Sequence, residues 1–241
     1  MLHTTEGIVL HSLKYGDTSL VVRILTPKLG MQSYLVQGVR KSKSRFRASH
    51  FQPFTLVEMV AYHKEKSGLQ RIKELRCPHP TPGIQTDIRK TSLAIFLCEI
   101  LSHTFRHQEP QPEAFRFIHQ AVLTLEQEQE NLATFHIVFL LQLSRYLGFF
   151  PGKNYSEQYC FFSLTEGLYQ SSIDNASHCL GKEESYLLYH LTGIQPGENP
   201  HIKISAALRK ILLHKTIDYY RLHLDGFKEI KSLPTLEVVF G

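Results

Sequence analysis

Residues 7–39 read GIVLHSLKYGDTSLVVRILTPKLGMQSYLVQGV. Three short runs rich in apolar and β-branched side chains are separated by Tyr15-Gly16-Asp17 and by Pro27-Lys28-Leu29-Gly30, both turn-forming. In the middle run Leu20, Val22 and Ile24 alternate with Val21, Arg23 and Leu25, so one side faces a core while Arg23 looks outward. Two further runs follow, PFTLVEMVAYH at 53–63 and, after the turn Lys66-Ser67-Gly68, LQRIKELR at 69–76. Five short antiparallel strands with no helix between them predict a small closed barrel of the OB type, whose sheet face and loops bind oligonucleotides.

Beyond the strands, Cys77-Pro78-His79-Pro80-Thr81-Pro82-Gly83 places three prolines in five residues, which cannot continue a ladder or start a helix early. The domain boundary is placed there, giving 1–79 and 80–241. The second part reads as helical. TDIRKTSLAIFLCEILSHTFRH is apolar nearly all round, through Ile88, Leu93, Ile95, Phe96, Leu97, Ile100 and Leu101, which predicts a central buried helix. Another helix opens at Pro112, and one runs from about Leu132 to Leu147 with Gly148 to end it. Two more span Lys182 to Thr192 and Ser205 to Leu224. YCFFSLTEGLYQ, turning at Thr165-Glu166-Gly167, predicts a short hairpin among them. The fold class is multidomain α+β: a five-stranded OB-fold β-barrel, then a mainly α-helical domain with a β-hairpin insertion.

With 241 residues, 42% hydrophobic and 20% charged, the chain is neither disordered, fibrous nor membrane-spanning. Four scattered cysteines suit a reducing compartment, and the first residues carry no export signal, so a cytoplasmic protein with no membrane partner is expected. The net charge of +5 is uneven. Met1 to Pro80 carry 13 Lys and Arg against 5 Asp and Glu, whereas the remainder is slightly acidic. A basic first third implies an anionic partner, with nucleic acid leading.

The strongest local signal is Arg40-Lys41-Ser42-Lys43-Ser44-Arg45-Phe46-Arg47, five cations in eight residues. In an extended loop Arg40, Lys41, Lys43, Arg45 and Arg47 can each reach a separate phosphate, which gives affinity without sequence preference. Lys14, Arg23 and Lys28 widen the track, and Tyr34, Tyr15 and Phe46 are candidate stacking faces for unpaired bases. Catalysis has no support: the sequence holds no H-E-x-x-H, C-x-x-C, G-x-S-x-G or G-x-x-x-x-G-K. His103 and His107, one helical turn apart, lack a third ligand. Glu126, Glu128 and Glu130 read as a solvated helix end. No cofactor is called for.

EGIVLHSLKYGDTSLVVRILTPKLGMQSYLVQGVRKSKSRFRASHFQPFTLVEMV resembles the N-terminal domain of the RecO family of bacterial recombination mediators. GVRKSKSRFR followed by QPF is the most specific part, and YLGFFP at 146–151 with FSLTEG beyond it is similar to the family's helical domain. The resemblance implies binding of single- and double-stranded DNA and annealing of complementary strands in the RecF pathway. With the partner RecR, it implies recombinase loading on strands coated by single-stranded-DNA-binding protein. The family's basic DNA loop falls on Arg40, Lys41, Lys43, Arg45 and Arg47, and Gly38 lets the chain turn away before them. The acidic, apolar-ended tail of single-stranded-DNA-binding protein is expected on the helical domain, near Arg209, Lys210 and Lys215. A nucleoid-associated cytoplasmic location goes with this role.

Many members of the family carry a four-cysteine zinc ribbon after the LGFFP-like segment. Here 153–180 offers only Cys160 and Cys179, with His178 beside them, so no metal is expected. The hairpin is expected to pack through Phe161, Phe162, Leu164, Leu168 and Tyr169 instead. Against the mediator stand a generic OB-type RNA binder, a hydrolase using the histidines, and a purely structural interaction module.

Overall fold

The computed structural model describes residues 1–39, 45–64, 68–105 and 109–240. By compactness the chain divides into Met1–Gln127 and Glu128–Gly241. The first unit therefore holds more than the strands.

Its barrel consists of β1 (Leu2–Tyr15), β2 (Ser19–Thr26), β3 (Gly30–Val36), β4 (Leu56–Tyr62) and β5 (Gln70–Arg76), closed in the order β1-β2-β3-β5-β4. Strand β1 serves two neighbours. Its first half pairs with β4, its second with β2, and Ile8 lies opposite both Leu56 and Leu25. Beside it, a Cβ on Gly7 would lie 2.5 Å from the Ile24 Cγ2 methyl, so only glycine fits without displacement. The expectation of wholly antiparallel pairing fails at one seam, where β3 runs parallel to β5. A ring of five strands cannot alternate direction throughout, so one parallel junction is unavoidable. A 3-10 turn, Ala48–Phe51, inserts Phe51 among Val9, Val22, Tyr34 and Met59 at the centre of the barrel.

Three helices complete this unit: α1 (Pro82–Thr86), α2 (Ile88–Thr104) and α3 (Pro112–Gln127). The proline run does not delay the helix as expected, because Pro82 itself occupies the first turn, where its missing N–H costs nothing. The N–H groups of Gly83 and Ile84 donate to the two carboxylate oxygens of Glu126 at 2.8 and 2.9 Å. Buried Lys90 donates to the Glu126 carbonyl. Helix α2 is not buried all round, since Ile88 and Ile95 are exposed; it lies against β1, with Cys98 Sγ 3.8 Å from the Val9 carbonyl.

In the second unit α4 (Leu132–Leu147) is the buried helix, ended by Gly148 at φ 87°. Around it lie β6 (Phe161–Ser163), β7 (Leu168–Gln170), α5 (Lys182–Leu191), α6 (Ala206–His223) and α7 (Leu233–Phe240). The hydroxyls of Tyr220 and Tyr219 donate to the carbonyls of Leu140 and Phe149 at 2.7 and 2.6 Å, fixing α6 against α4 and the segment after it. The β6–β7 hairpin turns through Gly167 at φ 68° and buries Phe162, Leu164 and Tyr169. Phe161 is half-buried, and Leu168 departs from expectation by being 48% exposed, because it alternates outward on a two-stranded ribbon.

Candidate nucleic-acid interface

Alternation along the strands decides which side chains face out. Inward are Leu20, Val22, Tyr34, Val36, Gln70 and Ala61; outward, one step on, is a cross-strand row Leu13–Val21–Leu35–Arg71–Tyr62–Leu2, each registered with the next. Neighbours in such a row stand about 5 Å apart. Tyr34 is therefore no stacking platform: it is 1% exposed in the barrel core, and burial pushes its hydroxyl pKa well up. The exposed aromatic faces are Tyr15, at 57%, and Tyr62, at 45%. Tyr62 is a position absent from the sequence expectations, although its outward face follows from alternation along β4; its place opposite Arg71 depends on a bulge in the β4–β5 pairing.

Arg40, Lys41 and Lys43 lie outside the described residues. The two ends of the segment that contains them are anchored. Val39 is buried in the barrel core, and Phe46 packs on that core with its ring edge-on to Phe51. With Phe46 turned inward, its neighbours Arg45 and Arg47 are exposed. Arg45 pairs with Glu74 on the outer face of β5 at 3.8 Å, and Lys73 meets the same carboxylate at 3.7 Å. Both pairs are largely solvated and worth little, so a phosphate competes easily for these cations. Arg71, Lys73 and Arg76 thus extend the basic surface on β5, with Arg76 committed to Glu58. Lys14 is exposed near the end of β1, and Arg23 is half-buried on β2 opposite His11 and Ser33. Beside the outward row, Tyr62, Lys64, Leu69, Gln70 and Arg71 line a shallow cleft of about 560 Å³.

The second unit separates the three cations expected to receive a partner tail. Arg209 and Lys210 border a groove with Leu213, Leu236 and Phe240, whereas Lys215 donates to the Ser177 carbonyl at 2.6 Å and lies apart from it. His136 is buried beneath the groove. Burial, reinforced by the nearby Arg209 charge, lowers its pKa to about 3. Among the described residues no three His, Cys, Asp or Glu side chains are grouped to hold a metal ion. Cys160 and Cys179 are buried; Cys179 bridges to Ser163 as an added edge of the hairpin, and Leu180 donates to the Phe162 carbonyl. A zinc ribbon does not fit this donor set. His107, the expected pair of His103, lies outside the described residues. Glu126 and Glu128 are not merely solvated: Glu126 caps α1, and Glu128 accepts the amides of Gln129, Glu130 and Asn131.

Two family models cover almost the whole chain. "Recombination protein O N terminal" matches residues 1–80 and "Recombination protein O C terminal" matches 85–234. The chain belongs to the RecO family. It is similar to the DNA repair protein RecO of Flavobacterium psychrophilum, 36% identical over 98% of each chain. It is also similar to the proteins of that name from Phocaeicola vulgatus and Azobacteroides pseudotrichonymphae, 33% and 31% identical over the full length of both chains. The closed barrel is the OB-fold domain of that family. Among the described residues no helix is long and apolar enough to cross a membrane.

Proposed function

We propose that this protein is a non-enzymatic DNA-binding mediator of repair and recombination in the cytoplasm, acting on the nucleoid. The barrel binds single- and double-stranded DNA through Arg40, Lys41, Lys43, Arg45 and Arg47, with Lys14, Arg23, Arg71 and Lys73 as flanking phosphate contacts. Tyr15, as expected from the sequence, and Tyr62 offer the stacking faces, in place of Tyr34. The observation that supports this best is the anchoring of the basic segment by Val39 and Phe46, which turns Arg45 and Arg47 to solvent beside the cations of β5. Two strands neutralised on one surface are held at high local concentration, so annealing needs no covalent chemistry. With RecR, the protein loads recombinase on strands coated by single-stranded-DNA-binding protein. That protein's acidic, apolar-ended tail docks at Arg209 and Lys210.

The deciding experiment measures binding of labelled mixed-sequence single-stranded DNA across a salt series. Wild type is compared with a variant in which Arg40, Lys41, Lys43, Arg45 and Arg47 are all alanine. The variant should lose affinity and flatten the slope of log affinity against log salt by up to roughly three, at about 0.7 per phosphate. A folded variant that matches wild type would show the segment to be solvated surface only. Preference for RNA over DNA in competition would favour a generic RNA binder.

A further inference from the structure

Helix α7 carries, on the side facing α6 and α4, the chemistry of an acidic peptide with an apolar end. Leu236 is buried, Glu237 reaches Lys210 Nζ at 3.5 Å and His214 Nε2 at 2.5 Å, and the Phe240 ring lies 5.9 Å from that of His136. The Phe240 carbonyl accepts from Arg209 Nη2 at 3.3 Å. Arg209 Nη1 is held by the Ile204 carbonyl, while its Nε is buried with no hydrogen-bond partner among the described residues. A cavity of about 50 Å³ remains under the helix.

We propose that α7 is a resident competitor for this groove: it lays an acid and a phenyl ring on the basic rim and apolar floor where an acidic, apolar-ended peptide would bind, and it must shift before such a peptide enters. This regulation rests on the tail-docking reading above. Two observations carry it. First, the cations that would recognise the peptide are already occupied by α7, through Glu237 and the Phe240 carbonyl. Second, α7 is lightly held. Leu236 is its one buried side chain among the described residues, Val238 is 87% exposed, and eight residues are too few to be stably helical alone. A groove closed most of the time binds its ligand more weakly by the fraction of time it is open, which makes α7 a threshold on docking.

The test uses the full chain and a fluorescein-labelled peptide of three aspartates followed by Leu-Glu-Val-Val-Phe, with anisotropy as the readout. Glu237→Gln loosens α7 without touching the rim and should tighten peptide binding about threefold; Glu237→Gln with Phe240→Ala should tighten it about tenfold. Lys210→Glu in the Glu237→Gln background should undo the gain, and Val238→Ala should change nothing. Hydrogen exchange of the α7 amides should speed up when peptide is added to wild type. Equal or weaker binding by the loosened variants, with α7 amides gaining protection, would make α7 a wall of the groove and overturn the competitor while leaving docking intact. Absence of binding to every variant, with DNA binding preserved, would overturn both.

Discussion

Phe46 meets Phe51 edge-to-face, with ring centroids 6.3 Å apart and planes at 73°. This contact sets which way the chain runs between Arg45 and Arg47, and so which side of the barrel carries their charge. Phe46→Ala should cost about 1–2 kcal/mol in urea unfolding, less than a fully buried phenylalanine. Affinity for single-stranded DNA should fall several-fold while the salt slope is retained, because the phosphate contacts are fewer in time and not in number. Loss of slope would mean that the ring holds more than orientation.

Tyr34 and Tyr62 should behave in opposite ways. The Tyr34 hydroxyl is buried with no hydrogen-bond partner among the described residues, so Tyr34→Phe should be neutral or stabilise by about 1 kcal/mol, with DNA binding unchanged. Tyr62→Ala should leave unfolding nearly unaltered and weaken single-stranded DNA by about 1–2 kcal/mol, with little effect on duplex, whose bases are stacked already. Equal losses on the two substrates would remove Tyr62 from the base-contacting surface.

Glu126 ties the last turn of α3 to the first turn of α1. Glu126→Ala leaves the Gly83 and Ile84 amides without that acceptor and should cost about 2 kcal/mol, while Glu126→Gln, which keeps one acceptor oxygen, should cost less. Amide exchange at Gly83 and Ile84 reports the same loss locally.

His136 gives the second unit an acid sensitivity. Its folded pKa is about 3 against an ordinary value of 6.5. Above pH 6.5 both folded and unfolded chains hold it neutral and it contributes no pH dependence. As pH falls below that, the unfolded chain takes up a proton that the folded chain refuses, so stability drops by up to about 1.4 kcal/mol per pH unit, or about 2 kcal/mol by pH 5. His136→Leu should flatten this part of the profile in urea unfolding measured from pH 7.5 to 5. An unchanged slope would assign it elsewhere, with His119, whose pKa burial also lowers, the first candidate.

Strand periodicity made the barrel legible, because one face of each strand must be buried. The same rule, applied strictly, places Tyr34 inside and Tyr62 outside; residue chemistry without strand facing includes Tyr34 and leaves out Tyr62. The parallel seam is a property of a closed ring and no single strand carries it. Helix α1 was hidden by its prolines, although the first turn is where a proline is tolerated. Nothing in local sequence pairs Glu126 with Gly83. Helix α7 is only eight residues long, with Pro234 at its second position, too short a stretch to stand out as a helix. Charge composition found the basic segment, whereas Arg71 and Lys73 became part of its surface only once β5 closed the barrel.

The seam between β3 and β5 has a kinetic consequence. It is registered only through Tyr34 opposite Gln70 and Leu35 opposite Arg71, a far shorter ladder than β1 makes with β2 or β4. With two registered pairs it is the shortest ladder of the barrel, and so the first junction expected to breathe in the native state. The strand freed on one side of that opening is the one that leads into the Arg40–Arg47 segment, while the other carries Arg71 and Lys73. On the DNA-binding reading proposed above, breathing at the seam would shift Arg71 and Lys73 relative to the β2–β3 side of the barrel, giving the basic surface an adjustable width for one strand of nucleic acid or two.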